Sequence, residues 1–311
     1  MTENIVDEHV NITLNNKGKI QDYAFGTQLF TWFLVFGFCF VLAQMISGAL
    51  IVAYYQSIDM HKIVADVYHL NALRFAQLLA TIISFLLPAF IFSKLKSNTI
   101  LSYSAANIGF NPVFFIIVPM LIYTIYPSIN FLFFVNKWIG IGNVNQSSQT
   151  EYKMLVDALL KDDSVVVLMF NLLIIAIVPA IAEEWIFRGS LQRFLSEKIS
   201  IHIAIVFSAI LFSLIHFEFS GFLPRIALGI FLGYLFYYSG SLWLCIFAHA
   251  VNNGTQVVLM YLNNKDIYRT DVDNPTMPAM WEIAVYSIAF IGLWSIFLHF
   301  AQQRKSSTFV K

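Results

Sequence analysis

Long apolar blocks alternate with short polar breaks along this chain. Apolar residues fill about 27–55, 73–92, 113–134, 164–183, 201–216, 225–239, 241–261 and 282–300. A helix that crosses the hydrocarbon core needs roughly 20 mostly apolar residues, so the pattern predicts about eight transmembrane helices. The blocks at 201–216 and 225–239 are short and are expected to tilt, kink or lie partly in the interface. Gly and Pro inside the blocks are no objection, because neighbouring helices can satisfy the freed backbone groups. There is no internal repeat and no low-complexity linker. The expected organisation is all-α and polytopic: a polar tail over 1–26, one helical membrane domain over 27–300, and a polar tail over 301–311. The longest polar connection is 140–163. Within it Tyr152, Leu155, Val156, Leu159 and Leu160 recur at helical spacing, opposite Lys153, Asp157, Lys161 and Asp162. That is the pattern of an amphipathic helix on the membrane surface. It reads first as a connector and second as a lid, since it leads directly into the block at 164–183. The segment 262–281, with Pro275 and Pro278, reads as a polar loop.

Composition supports the membrane reading. The chain is 59% hydrophobic and only 12% charged, whereas soluble domains carry about a quarter charged residues. The formal net charge is zero and no basic run is present, so nucleic acid is not an expected partner. The first 26 residues are polar and mixed in charge, so no cleavable signal peptide is expected. The ending "RKSSTFVK" carries no lipidation box. Cys39 and Cys245 lie in predicted spans and form no CxxC, so they say nothing about redox compartment. An even number of spans puts both termini on one side. Lys and Arg divide almost evenly between the sides, and the expectation adopted is cytoplasmic termini.

Polar groups inside the spans are where chemistry enters, because charge at membrane depth is costly and is kept for use. The stretch "PAIAEEWIFRGSLQ", Pro179 to Gln192, ends an apolar run with two adjacent glutamates. Glu184 and Arg188 stand at i,i+4 and share a face, so Arg188 is expected to neutralise Glu184. Glu183 points about 100° away and is expected to face a cavity. Pro179, four residues before Glu183, removes a helical hydrogen bond and can open the helix where that carboxylate projects. A plain charged helix end at the membrane boundary competes with this reading. A second stretch, "SAILFSLIHF", places His216 at the end of an apolar helix, where an interfacial histidine is the bland alternative. A third, "LCIFAHAVNNGTQVV", puts His249, Asn252, Asn253 and Gln256 on one face. Lipid cannot satisfy that stripe, and interhelical packing is its competing role. Taken together, a carboxylate, two imidazoles and an amide form a set able to activate water and stabilise an oxyanion. No Ser, Cys or Thr stands beside a His in these motifs, so no covalent nucleophile is evident. There is no HExxH.

With these motifs the chain resembles the CPBP (Abi) family of intramembrane proteases, whose members include the type II CAAX prenyl endopeptidases. The EExxxR motif reads "EEWIFR", Glu183 to Arg188, followed by Gly189. The FxxxH motif reads "FSLIH", Phe212 to His216, and the HxxxN motif reads "HAVNN", His249 to Asn253. The approach "LGYLFYYSGSLWLCIFAH", with Gly233, Gly240, Ser241 and Trp243, is also similar. The resemblance covers roughly 165–257. It implies that Glu183 and His216 activate water, that His249 and Asn253 hold the oxyanion, and that Glu184 and Arg188 support the site. The same Glu183, His216 and His249 could ligate a zinc ion or act without a metal, and the form without a tightly bound metal is preferred. The implied partners are the bilayer and a peptide or protein substrate at the membrane, a lipidated CAAX-like chain being one form. Two other classes stay open: a catalytically silent scaffold or immunity-type binding protein of the same fold, and a transporter with an intramembrane proton site, which would usually show repeat symmetry.

Overall fold

The computed structural model describes residues 17–57, 59, 63, 70–141, 146–161, 164–267 and 276–308. Residues 1–16 and 309–311 of the expected tails, Asp162 and Pro275 lie outside the described residues, as do the side chains of Tyr152 and Lys153. Nine helices among the described residues carry the architecture, and no strand is found there. They are α1 (Phe25–Tyr55), α2 (Leu70–Lys96), α3 (Phe114–Trp138), α4 (Gln146–Leu160), α5 (Val165–Ser196), α6 (Ile201–Leu214), α7 (Phe222–Ser239), α8 (Leu242–Asn264) and α9 (Met280–Thr308).

Seven of them are long and apolar enough to cross a membrane. The difference from the expected eight is α6. Its 14 residues give about 21 Å at 1.5 Å per residue, short of a hydrocarbon core of about 30 Å. The irregular stretch 215–221 continues from it, and bonds to protein satisfy much of that backbone. Asn136, buried near the end of α3, donates from Nδ2 to the carbonyls of Phe219 and Ser220, both at 2.9 Å, and accepts from the Leu223 N–H at 3.2 Å. Irregular backbone within a membrane protein is tolerated where protein supplies its partners.

Helix α1 shows how these helices pack. Its buried positions are Gln28, Trp32, Cys39, Ala43 and Ser47, one narrow stripe at helical spacing, while Phe30, Phe38 and Met45 point outward. Trp32 apart, small and polar residues face the neighbours, because lipid solvates the large apolar ones as well as protein does. Helix α1 lies on α2, α2 on α5, and α5 on both α6 and α8. Helix α7 joins α6, α8 and α3, and α9 covers α3. The four helices α5 to α8 enclose the motif residues, with α1–α2 on one flank and α3–α9 on the other.

The amphipathic segment is a helix, as its spacing predicts, and it is docked into the bundle. Leu159 packs with Ile63, Leu70 and Leu73. Its free C-terminal carbonyls are taken up by side chains of three spanning helices. Arg74 (3.0 Å) and Asn171 (2.7 Å) donate to the Leu159 carbonyl, and Asn264 (2.5 Å) to that of Leu160. A helix end leaves its last carbonyls without partners inside the helix, and these three residues supply them.

Candidate active site

The acidic motif sits in α5, between two widened π-type segments at 172–177 and 185–192. Pro179 follows the first, as Pro88 in α2 follows a similar segment at 82–86. A proline ring clashes with the carbonyl four residues back and offers it no N–H; a wider turn relieves that clash. Such turns concentrate at functional sites, and here they flank the two glutamates.

The two glutamates face different partners. Glu184 is fully buried, and its Oε1 accepts from Arg188 at 2.6 Å and from His249 Nδ1 at 2.8 Å. Arg188 also donates to the Gly229 carbonyl at 2.9 Å, and its guanidinium lies 5.0 Å over the Phe212 ring. Glu183 instead faces two imidazoles. Its Oε2 is 3.8 Å from His249 Nε2 and 4.0 Å from His216 Nε2. Glu183, His216 and His249, drawn from α5, the end of α6 and α8, are therefore brought together. Glu183 and His249 are buried, while the His216 side chain is 27% exposed, so the cluster opens on the His216 side.

The far nitrogen of each ring fixes its near one. His216 Nδ1 lies 2.7 Å from the Phe212 carbonyl, an acceptor, so the ring donates there. His249 Nδ1 likewise donates to Glu184. In the neutral ring each Nε2 then carries a lone pair turned toward Glu183. The Phe212 ring spaces the two, 5.0 Å from His216 and 5.7 Å from His249 between centroids. The second motif thus uses its Phe as a wall and its carbonyl as an orienting acceptor.

Asn253 stands one turn beyond His249 on α8. Its Oδ1 accepts from Asn252 Nδ2 at 3.1 Å, which leaves its own amide N–H groups to donate elsewhere. Asn252 is buried and Gln256 exposed, so the polar stripe grades from core to surface along the helix.

The donor set can be tested against zinc. Adjacent ligands of a tetrahedral zinc with bonds of about 2.0–2.1 Å lie about 3.3 Å apart. The Glu183–imidazole separations of 3.8 and 4.0 Å are wider, and among the described residues no group of three such side chains closes on a metal position. The ring orientations would suit ligation, but the spacing does not.

Several residues take supporting roles that the sequence reading did not assign. Gln192, one turn beyond Arg188, donates to the Gly233 carbonyl at 3.0 Å, as Arg188 does to Gly229. Gly229 and Gly233 are themselves one turn apart on α7. A Cβ on Gly229 would lie 2.9 Å from Ala209 Cβ, and one on Gly233 2.8 Å from Ile205 Cγ2. The absent side chains let α6 approach and leave the carbonyls open to α5. The Gly-xxx-Gly spacing is a known signal of close helix packing and could have been found. Asn136 carried no local signal. Neither did Glu218, which caps the 215–221 turn through the Ser220 and Gly221 N–H groups and pairs with Arg225.

Comparison with known proteins points the same way. No curated protein and no solved structure matches the chain. A family model described as "Type II CAAX prenyl endopeptidase Rce1-like" matches residues 165–255, the segment that holds all three motifs. Through that segment the match supports assigning the chain to the CPBP/CAAX family of membrane proteases.

Proposed function

We propose that this protein is an intramembrane endopeptidase that hydrolyses a peptide bond of a membrane-associated substrate, a lipidated CAAX-like chain being the form the family suggests. The observation that carries the proposal is Glu183 facing two oriented imidazole nitrogens at 3.8 and 4.0 Å. Those distances are long for direct hydrogen bonds, and polar groups so spaced are commonly bridged by water. A water about 2.8 Å from both of two groups 4.0 Å apart subtends roughly a right angle, within its ordinary hydrogen-bonding range.

In this mechanism Glu183 takes a proton from water as the oxygen attacks the scissile carbonyl. The developing oxyanion accepts from the Asn253 amide and from His249 Nε2. For that second donation His249 enters as the imidazolium, with Nδ1–H on Glu184, and keeps both ring protons throughout, so that the one proton that moves is the water's. The proton taken from water passes by way of His216 Nε2 to the leaving amine. The products are a free carboxylate and a free amine, with no covalent enzyme intermediate. Glu184 and Arg188 orient His249 and take no part in bond exchange.

Cytoplasmic termini belong to this proposal too. They require α6 to complete its crossing through residues 215–221.

The test is peptidomics of membrane-anchored proteins in cells carrying wild-type protein or Glu183→Gln. Wild-type-dependent cleavage products, with one ¹⁸O from labelled water in each new carboxylate, are expected. Identical peptide populations would instead support a silent scaffold. Activity that vanishes with a chelator and returns with Zn²⁺ would keep the protease and replace its water-activating device.

A further inference from the structure

A cavity of about 460 Å³ lies where α2 and α5 end. Gln21, Lys96, Ser97, Tyr103, Arg193 and Glu197 line it. None belongs to the three motifs.

The charges in this cavity pair in an unexpected way. Arg193 and Glu197 are i,i+4 neighbours, a spacing that favours their pairing. Glu197 Oε2 is instead bound to the buried Lys96 ammonium at 2.7 Å, which also donates to Gln28 Oε1 at 2.6 Å. Arg193 is left stacked 5.5 Å over the Tyr103 ring. Its guanidinium donors are unclaimed among the described residues. The Tyr103 hydroxyl is buried beside Glu197. Two cations, Lys96 and Arg193, thus share one carboxylate, and the cavity keeps a net positive charge with a free planar fork of donors.

We infer that this cavity binds the phosphate of an anionic membrane lipid, with Arg193 as its principal donor. Arginine meets phosphate oxygens through two parallel hydrogen bonds. The cavity lies at the ends of the spanning helices α2 and α5, the level at which basic pockets between helices take up lipid headgroups. Tyr23 and Leu101, each two residues from a lining residue, are exposed and offer apolar surface to the acyl chains. Inorganic phosphate shares the headgroup chemistry but would gain nothing from that surface.

The test uses the full-length protein in mild detergent, titrated with phosphatidylglycerol, phosphatidylcholine or inorganic phosphate and followed by thermal melting. Phosphatidylglycerol is expected to give a saturable upward shift. Half-saturation should be about tenfold weaker in Arg193→Gln, as for loss of one charge-assisted pair, with Arg193→Lys intermediate. Phosphatidylcholine and inorganic phosphate should give no saturable shift. An undiminished response in Arg193→Gln overturns the inference, and an equal shift with inorganic phosphate overturns the lipid. If Arg193→Gln does not fold, Ser196→Cys carries a fluorophore at the cavity without touching its charges. Headgroup-spin-labelled phosphatidylglycerol should then quench it at lower concentration than the phosphatidylcholine analogue, and equal quenching overturns the inference.

Discussion

Glu184→Ala would remove the acceptor shared by Arg188 and His249. The Glu184 side chain is fully buried and that of Arg188 is 1% exposed, so neither variant nor partner can recruit bulk water cheaply. Arg188 would keep the Gly229 carbonyl and the Phe212 ring but lose its counter-charge. Breaking a buried pair by deleting one partner costs about 3–5 kcal/mol. An unfolding entropy of about 2.1 cal/mol/K per residue over 311 residues converts this to a fall in Tm of about 5–8 °C. Glu183→Gln is the internal control. Its carboxylate makes no ion-pair contact closer than 3.8 Å, so the near-isosteric change should cost less than about 1 kcal/mol, under 2 °C by the same conversion. The double variant Glu184→Leu/Arg188→Leu tests the cause. Replacing a whole buried pair by apolar residues is often neutral, so it should melt at least about 3 °C above Glu184→Ala. Melts of the purified protein in detergent decide the matter. The reasoning fails if Glu184→Ala melts with wild type, or if the double variant lies below the single one.

Other expectations follow from the same geometry. Asn253→Ala should lower turnover about a hundredfold or more with little change in KM, as for loss of one oxyanion donor; steady-state kinetics on a cleaved peptide check this. Gly229→Ala should cost about 1–3 kcal/mol through overpacking, since its Cβ would meet Ala209 at 2.9 Å, whereas Gly37→Ala, with open space around it, should melt at or above wild type. Asn136→Leu strips three hydrogen bonds from the turn after His216, at about 1 kcal/mol or more each. Hydrogen exchange over 217–223 should quicken more than elsewhere, and unchanged exchange there would remove Asn136 from any part in holding His216.

Local rules made much of this protein legible. Block length and apolarity fixed the spans, because lipid demands that each segment satisfy its own backbone. The 100° helical step separated Glu184, facing Arg188, from Glu183, and the spacing over 140–163 announced an amphipathic helix. Three motifs on three of the four blocks between 164 and 261 marked which segments carry the clustered polar side chains. None of these signals reaches across the bundle. That Glu183 meets imidazoles from both α6 and α8, and that Glu184 serves His249 as well as Arg188, depends on how α5 to α8 pack. That packing depends in turn on Gly229 and Gly233, whose spacing signals a close approach but does not say which helix makes it. The block at 201–216 was legibly short, but that its last two residues leave the helix was not: the chain turns there, held by Asn136 some eighty residues away. Arg193 shows the limit most directly. Its i,i+4 partner was readable from sequence, but Lys96 of α2 takes that carboxylate, and spacing along one helix cannot show what another helix brings to it.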